Sequence, residues 1–355
     1  MRSVNFRIVA ALALAGCSTP FSYAPPMPAA PAPGQVPAEA TVAWREDVGR
    51  GLIQAVAVAG PVVVAVTTDR AIVTLSSESG ERYWRHRVGA PVLGPAVHAG
   101  DRLYVATGRR DEHVYAIDAE RGRRIWATRV GPAVATPTLA GDTLYIATSR
   151  GLAALRTTDG SVIFERRLSG SPTAGPVVRG EDVWVGTTAD TLFALSRGTG
   201  AILRGIALAS TLSAAPLLAG DVLYAPTHGG DLVILDLAAG RVLRSLDLGA
   251  PILAAPAAGP GGDVFALTRA ADVWRIPRDG PPVRIAQLGG AATGSLTVAG
   301  ARLVVGKLDG SVLALDREGT ILWSRDVGDS VLAPVSIAGD AVFVPLLRGT
   351  LVKLQ

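Results

Sequence analysis

The chain is predicted to fold as an all-β, eight-bladed β-propeller of four-stranded antiparallel blades, closed by a latch between its two ends. Three observations predict it. A glycine returns at Gly80, Gly122, Gly160, Gly200, Gly240, Gly280 and Gly319, at intervals of 42, 38, 40, 40, 40 and 39 residues. Four residues after each stands one slot, filled by Trp84, Trp126, Phe164, Arg204, Arg244, Arg284 and Trp323. A second set, Gly60, Gly100, Gly141, Gly180, Gly220, Gly262, Gly300 and Gly339, is followed by Asp or Glu in six of its eight places. A fixed period near 40 with short strand-type runs between turn residues is the pattern of a propeller, each period supplying one blade.

Taken in chain order, the first segment is not part of that ring. Arg2 and Arg7 precede an apolar run over 8–15 that is too short to span a bilayer as a helix. Residues 1–16 therefore read as a signal peptide. The run ends Leu14-Ala15-Gly16-Cys17, which resembles the lipobox of bacterial lipoproteins. That resemblance implies cleavage before Cys17, acylation of its thiol and new amino group, and stable anchoring by several acyl chains. Ser18, where Asp would favour the inner membrane, points to the outer membrane and its periplasmic face. Residues 17–40 carry Pro20, Pro25, Pro26, Pro28, Pro31, Pro33 and Pro37 among alanines and are expected to form an extended tether.

The propeller is expected over 41–355. In one unit an outer strand at 84–88 leads through a loop with Pro91 and Pro95 to a strand at 95–99. A turn at Gly100-Asp101, a strand at 103–106, a polar loop and a strand at 114–117 follow, and Gly122 turns the chain into the next outer strand. The last unit, 331–355, stops before its fourth strand, and 41–48 supplies it, with Trp44 in the slot. Closure removes the open sheet edge and predicts a monomer.

Composition narrows the chemistry. Cys17 is the single cysteine, so an intrachain disulfide, a cysteine metal site and a CxxC redox pair are excluded. The net charge of +4 is spread along the chain and does not indicate a nucleic-acid partner. His86, His98, His113 and His228 lie in different units without ligand spacing, and no HExxH, GxSxG or phosphate-loop motif is present. Asp118, Asp236 and Asp316 fall at strand ends, where carboxylates bond nearby backbone N–H groups.

The segment from Ala116 to Trp126, Ala-Ile-Asp-Ala-Glu-Arg-Gly-Arg-Arg-Ile-Trp, resembles the tryptophan-docking repeat of quinoprotein propellers, Ala-x-Asp-x-x-Thr-Gly-Lys-x-x-Trp. The resemblance implies that Trp44, Trp84, Trp126, Phe164 and Trp323 are wedges docking one blade on the next. Two families share the repeat. Quinone-dependent (PQQ-dependent) dehydrogenases are longer, and their alcohol-oxidising members carry paired cysteines and a calcium held partly by Asn. Here Asn5 is the only asparagine. The second is the BamB family of propeller lipoproteins of outer-membrane β-barrel assembly, which this chain is similar to in lipobox, tether and blade count. That resemblance implies a non-catalytic scaffold without cofactor that binds a barrel-assembly protein through its POTRA domains. The loop at 209–215 reads Ala-Ser-Thr-Leu-Ser-Ala-Ala where that family has Leu-x-Leu-Arg, so its partner contacts are not carried over. A propeller lipoprotein that binds a partner or ligand in another envelope pathway is the alternative.

The loops between second and third strands are expected beside the inter-blade loops, on one face of the ring. They hold Arg70, Arg109, Arg110, Arg150, His228, Arg269, Lys307 and Arg348, a basic or titratable residue in seven of eight blades. These residues are candidates for binding an acidic partner surface. Asp69, Asp111, Asp190, Asp231, Asp272 and Asp309 share the loops, as solvated charge would.

Overall fold

The computed structural model of the protein describes residues 23–27, 34–290, 292 and 296–355. Cys17 and the whole segment read as a signal peptide lie outside the described residues. Thirty-two strands, β1 to β32 in chain order, form eight four-stranded sheets among the described residues. Blade I shows the plan, with β2 (Ala57–Ala59) innermost, then β3 (Val62–Val66), β4 (Ala71–Ser76) and β5 (Arg82–Arg87) at the rim. Blades II to VII repeat it.

Blade VIII takes β30 (Ser336–Ala338), β31 (Ala341–Pro345) and β32 (Thr350–Leu354) from the C-terminal end. Its fourth strand is β1 (Val42–Asp47), antiparallel to β32 with Val42 opposite Leu354 and Asp47 opposite Thr350. The latch expected from sequence is therefore present. The Ser336 hydroxyl donates to Val56 O at 2.7 Å across the closing seam, as Thr297 donates to Val335 O at 2.8 Å one seam earlier.

Blades stack face to face, so the two middle strands are covered on both sides. Every residue of β3 and β4 is buried, which explains the unbroken apolar run of β3 and the mainly apolar one of β4. The rim strand has one covered face and alternates, as in the pattern of β1. Each rim strand also carries one register shift. In seven blades it falls at the residue before the slot, for example Ile125 and Ile163. A bulge there twists the exposed edge and blunts pairing with other chains.

The slot residue reaches the turn of the next blade. The indole Nε1 of Trp44, Trp84 and Trp126 donates to Ser77 O, Ala119 O and Thr157 O at 3.3, 3.0 and 3.1 Å. Each acceptor stands three residues before a periodic glycine, and the ring packs on that glycine. A Cβ on Gly122, which has φ +66°, would lie 2.6 Å from the Trp84 indole. The period is thus set by two demands on one residue, a left-handed backbone and no side chain.

Arg204 performs the same reach with a guanidinium, to Leu237 O at 2.8 Å, whereas Arg244 donates to the carbonyl of the glycine itself, Gly280 O, at 2.6 Å. Phe164 has no donor, and Tyr145 supplies one to the equivalent Arg197 O at 3.0 Å. Arg284 departs from the pattern. Its rim strand begins after Pro281 and Pro282, the register shift falls after Arg284, and its guanidinium lies 3.5 Å from Asp272. Ile285 then covers Gly319.

The segment expected as a tether is partly docked. Trp323 Nε1 donates to Pro37 O at 2.9 Å and Arg302 to Val36 O at 2.7 Å. Residues 34–40 so take the place of the turn that blade VIII lacks, where Pro37 stands as Thr157 does for Trp126. Val36 is buried in that seam. Further upstream, Ala24 N donates to Glu120 O at 2.9 Å, Ala24 and Met27 are buried beside blades I and II, and Arg121 lies over the Tyr23 ring at 5.4 Å. Small apolar side chains and open carbonyls, which made the segment read as a linker, are what these seams accept.

Candidate partner-binding face

Two faces of the ring differ in what builds them. One carries the tight turns within each blade, for example Gly60-Pro61, and is here the hairpin face. The other carries the loops between second and third strands together with the inter-blade loops, and is here the loop face. The two loop sets are tied to each other: Gly108 N donates to Pro91 O, Ser149 N to Pro132 O, and Arg269 N to Pro251 O at 2.8 Å.

A column of threonines holds these loops. Thr67, Thr107, Thr148, Thr187, Thr227 and Thr268 are all buried at the end of the second strand. Their hydroxyls bond the start of the third strand, Thr107 to His113 O at 3.0 Å and Thr227 to Asp231 O at 3.1 Å. The column is visible in the sequence once the blades are aligned, because the residue type repeats with the period.

The loops are also where the backbone is strained. Among the described residues five non-glycine positions have positive φ, and all lie here: Arg70 at 70°, Arg110 at 88°, Glu112 at 61°, Asp190 at 51° and Ala271 at 62°. Each costs roughly 1–2 kcal/mol relative to a right-handed conformation. Strain of this kind gathers where a loop's shape is used.

Three of the acidic side chains in these loops are held by neighbours. Burial works against ionisation of Asp69, yet the Thr67 hydroxyl and Arg85 at 2.6 Å hold its carboxyl below the usual range. Asp111 accepts from Thr107 at 2.9 Å and from the Tyr115 hydroxyl at 2.7 Å. Burial first, and that bond second, push the Tyr115 phenol up to about 12. Glu112 is taken by Arg129 at 2.8 Å.

The arginines at the loop tips point out. Arg70, Arg109, Arg110, Arg150, His228, Arg269 and Arg348 are exposed. Arg70 donates only to Gly89 O, at 3.3 Å, and none of Arg70, Arg109, Arg110 and Arg150 has a carboxylate partner among the described residues. Arg348 stands 3.7 Å from Asp329. Lys307 departs from the expected ring: it occupies a threonine position, is 8% exposed, and pairs with Asp309 at 2.8 Å. The ring is therefore broken, with cations lacking a carboxylate partner among the described residues on blades I to III and, at Arg269, on blade VI.

Three residues were not among the sequence candidates. Arg50 is exposed on the inter-blade loop whose carbonyl bonds Thr68. Ile53 and Leu347 are 46% and 38% exposed, on two loops joined by Leu52 N to Leu346 O. They are exposed apolar side chains on the same face as Arg50. Leu212, in the loop aligned with the Leu-x-Leu-Arg segment, is instead buried against Gly186, and Ile202, Leu203 and Arg204 lie on a rim strand.

A redox cofactor site does not fit the donor set. Among the described residues no three His, Cys, Asp or Glu side chains gather with metal-binding geometry. Burial, first among the causes, pushes the His86 and His98 imidazoles below their ordinary range. A quinone's calcium would also need ligands beyond the single Asn5.

The family model described as outer membrane protein assembly factor BamB matches residues 36–174, 136–257 and 244–355. The chain belongs to the BamB family. The crystal structure of BamB from Moraxella catarrhalis superposes with a TM-score of 0.75 at 18% identity, covering 89% of this chain and 97% of that one. A computationally designed protein, Ika8, superposes nearly as well, with a TM-score of 0.74 at 17% identity over 86% and 96% of the two chains. At such identities both likenesses report the fold alone. No curated protein matches the chain.

Proposed function

We propose that the chain is a non-catalytic scaffold of outer-membrane β-barrel assembly, lipid-anchored at Cys17 on the periplasmic face of the outer membrane. It binds the POTRA domains of the barrel-assembly protein through the loop face. The family match, which reaches from residue 36 to residue 355, carries this reading. The exposed Arg70, Arg109, Arg110 and Arg150, with Arg50, Ile53 and Leu347 on the same face, support the choice of surface, because unpaired cations steer an acidic partner and exposed apolar side chains gain by being covered.

Co-purification from detergent-solubilised outer membranes tests both parts. Wild-type protein is expected to retain a POTRA-bearing barrel protein. Reversing Arg70, Arg109, Arg110 and Arg150 to Glu is expected to lower capture at least ten-fold at low salt, with the difference shrinking as salt rises. A preparation without that partner moves the chain to another envelope pathway. Unchanged capture by the reversed variant removes these arginines from the surface. Cys17→Ala is expected to release the protein from the membrane fraction.

A further inference from the structure

Lys307 and Lys353 are the only lysines among 34 Lys and Arg residues, and each is 8% exposed. Lys307 is matched by Asp309. The other buried charges are matched too, Asp263 by Arg275 and Arg317, and Asp272 by Arg284. Lys353 is the exception: its Nζ has no acceptor among the described residues. Its carbon stem is covered, but its Nζ is not among the fully buried unpartnered atoms, so the ammonium reaches the open seam and is available to a ligand there.

Its position in the blade deepens the contrast. Lys353 lies on β32 opposite Trp44, where the other blades place Thr74, Ala116, Ala154, Ala194, Ile234, Trp274 and Ala314. A small or apolar residue is the rule there because the slot residue crosses above it. In blade VIII the lysine instead borders a cavity of about 220 Å³ in the seam with blade I. Val58, Ala338 and Phe343 give that cavity apolar walls, and Gly60, Gly339 and Asp340, in the turns of the hairpin face, set its mouth. The Ser77 hydroxyl is engaged with Gly60 O at 3.1 Å, and the Asp340 carboxylate accepts from Gln355 at 3.1 Å without pairing with the lysine.

We propose that this seam cavity binds a small monoanionic carboxylate with an apolar body. The carboxylate meets the Lys353 ammonium, and the body lies against Val58, Ala338 and Phe343. One cation, with the Asp340 carboxylate also lining the cavity, admits a single negative charge and disfavours a dianion such as phosphate. The site is on the face opposite the loop-face arginines and does not depend on partner capture. A free organic acid and the C-terminal carboxylate of a peptide share this chemistry.

The two-lysine sequence makes the test direct. With ¹⁵N-lysine the full chain in detergent presents two side-chain signals, which are followed while sodium butyrate, acetyl-leucine or inorganic phosphate is added. A saturable shift of Lys353 with butyrate or acetyl-leucine, an unmoved Lys307, and no saturable shift with phosphate are expected. Whether butyrate or acetyl-leucine binds more tightly separates the free acid from the peptide terminus. Lys353→Met is expected to weaken binding at least ten-fold by calorimetry, and Asp340→Asn to tighten it at least three-fold. Linear shifts, parallel shifts of both lysines, undiminished binding by Lys353→Met, or unchanged affinity in Asp340→Asn would overturn the site. The Asp340 variant keeps the lysine and reads the site even if Lys353→Met fails to fold.

Discussion

At the scale of the residue, one task is carried out by different side chains when the acceptor is fixed. The carbonyl three residues before Gly160, Gly240 and Gly200 receives a donor in each case, from Trp126, Arg204 and Tyr145 respectively, each with a different atom. The Thr157 carbonyl has two aromatic donors, Trp126 at 3.1 Å and Tyr104 at 3.3 Å, whereas Arg197 O has Tyr145 as its aromatic donor. Tyr145→Phe should therefore cost about 1 kcal/mol, since it strands a half-buried acceptor, and Tyr104→Phe clearly less. Chemical denaturation of the two variants checks the difference, and equal losses would remove the compensation argument. A second residue-scale test uses backbone strain. Asp190 holds φ 51° at a position where Gly230, Gly310 and Gly349 stand in other blades. Asp190→Gly should stabilise by about 0.5 kcal/mol, the relief of the left-handed penalty less glycine's larger entropy in the unfolded chain.

At the scale of the element, the loop of blade VII is held by charge where six others are held by threonine. Asp309 is lowered to about 2 from its ordinary 3.8, first by the hydrogen bond from Lys307 and then by Ser311. The carboxylate is favoured in the fold, so the stabilisation is complete above about pH 4 and is lost as pH falls through about 2. Melting temperatures of wild type and Asp309→Asn should differ at neutral pH and converge as pH drops between those limits. A gap that stays constant would show that the pair does not stabilise the loop. The same inward turn explains why this loop adds no free cation to the partner-binding face, although its lysine looked equivalent to the other basic residues in sequence.

At the scale of the whole molecule, stability is shared around a closed ring. The latch joins β1 to β32, and residues 34–40 continue it by accepting from Trp323 and Arg302. A mature chain starting at Thr41 loses both acceptors and the buried Val36, a loss of about 3–5 kcal/mol from two stranded donors and one apolar side chain. A chain starting at Gly34 keeps them and should melt within a few degrees of the full protein. If the two truncations melt alike, residues 34–40 do not belong to the ring. With the lipid anchor proposed at Cys17, docking of residues 23–27 and 34–40 at hairpin-face turns would set that face nearer the membrane than the arginines of the loop face.

The periodic glycines, the slot residues and the incomplete last unit were enough to derive eight blades and the terminal latch, because each encodes geometry within one blade or between immediate neighbours. The tips of the loops were legible as well, since charge at a turn is mostly solvated wherever it occurs. The sequence could not reveal that Lys307 turns inward, that Arg284 slips out of its slot, or that a proline-rich leader fills a seam. Nor could it distinguish Lys353 from a surface lysine. Only the tertiary structure decided those points, and for one reason. Whether a polar or flexible residue is buried depends on what the adjoining blade places over it, and that neighbour can lie about 40 residues away or, at the closing seam, at the opposite end of the chain.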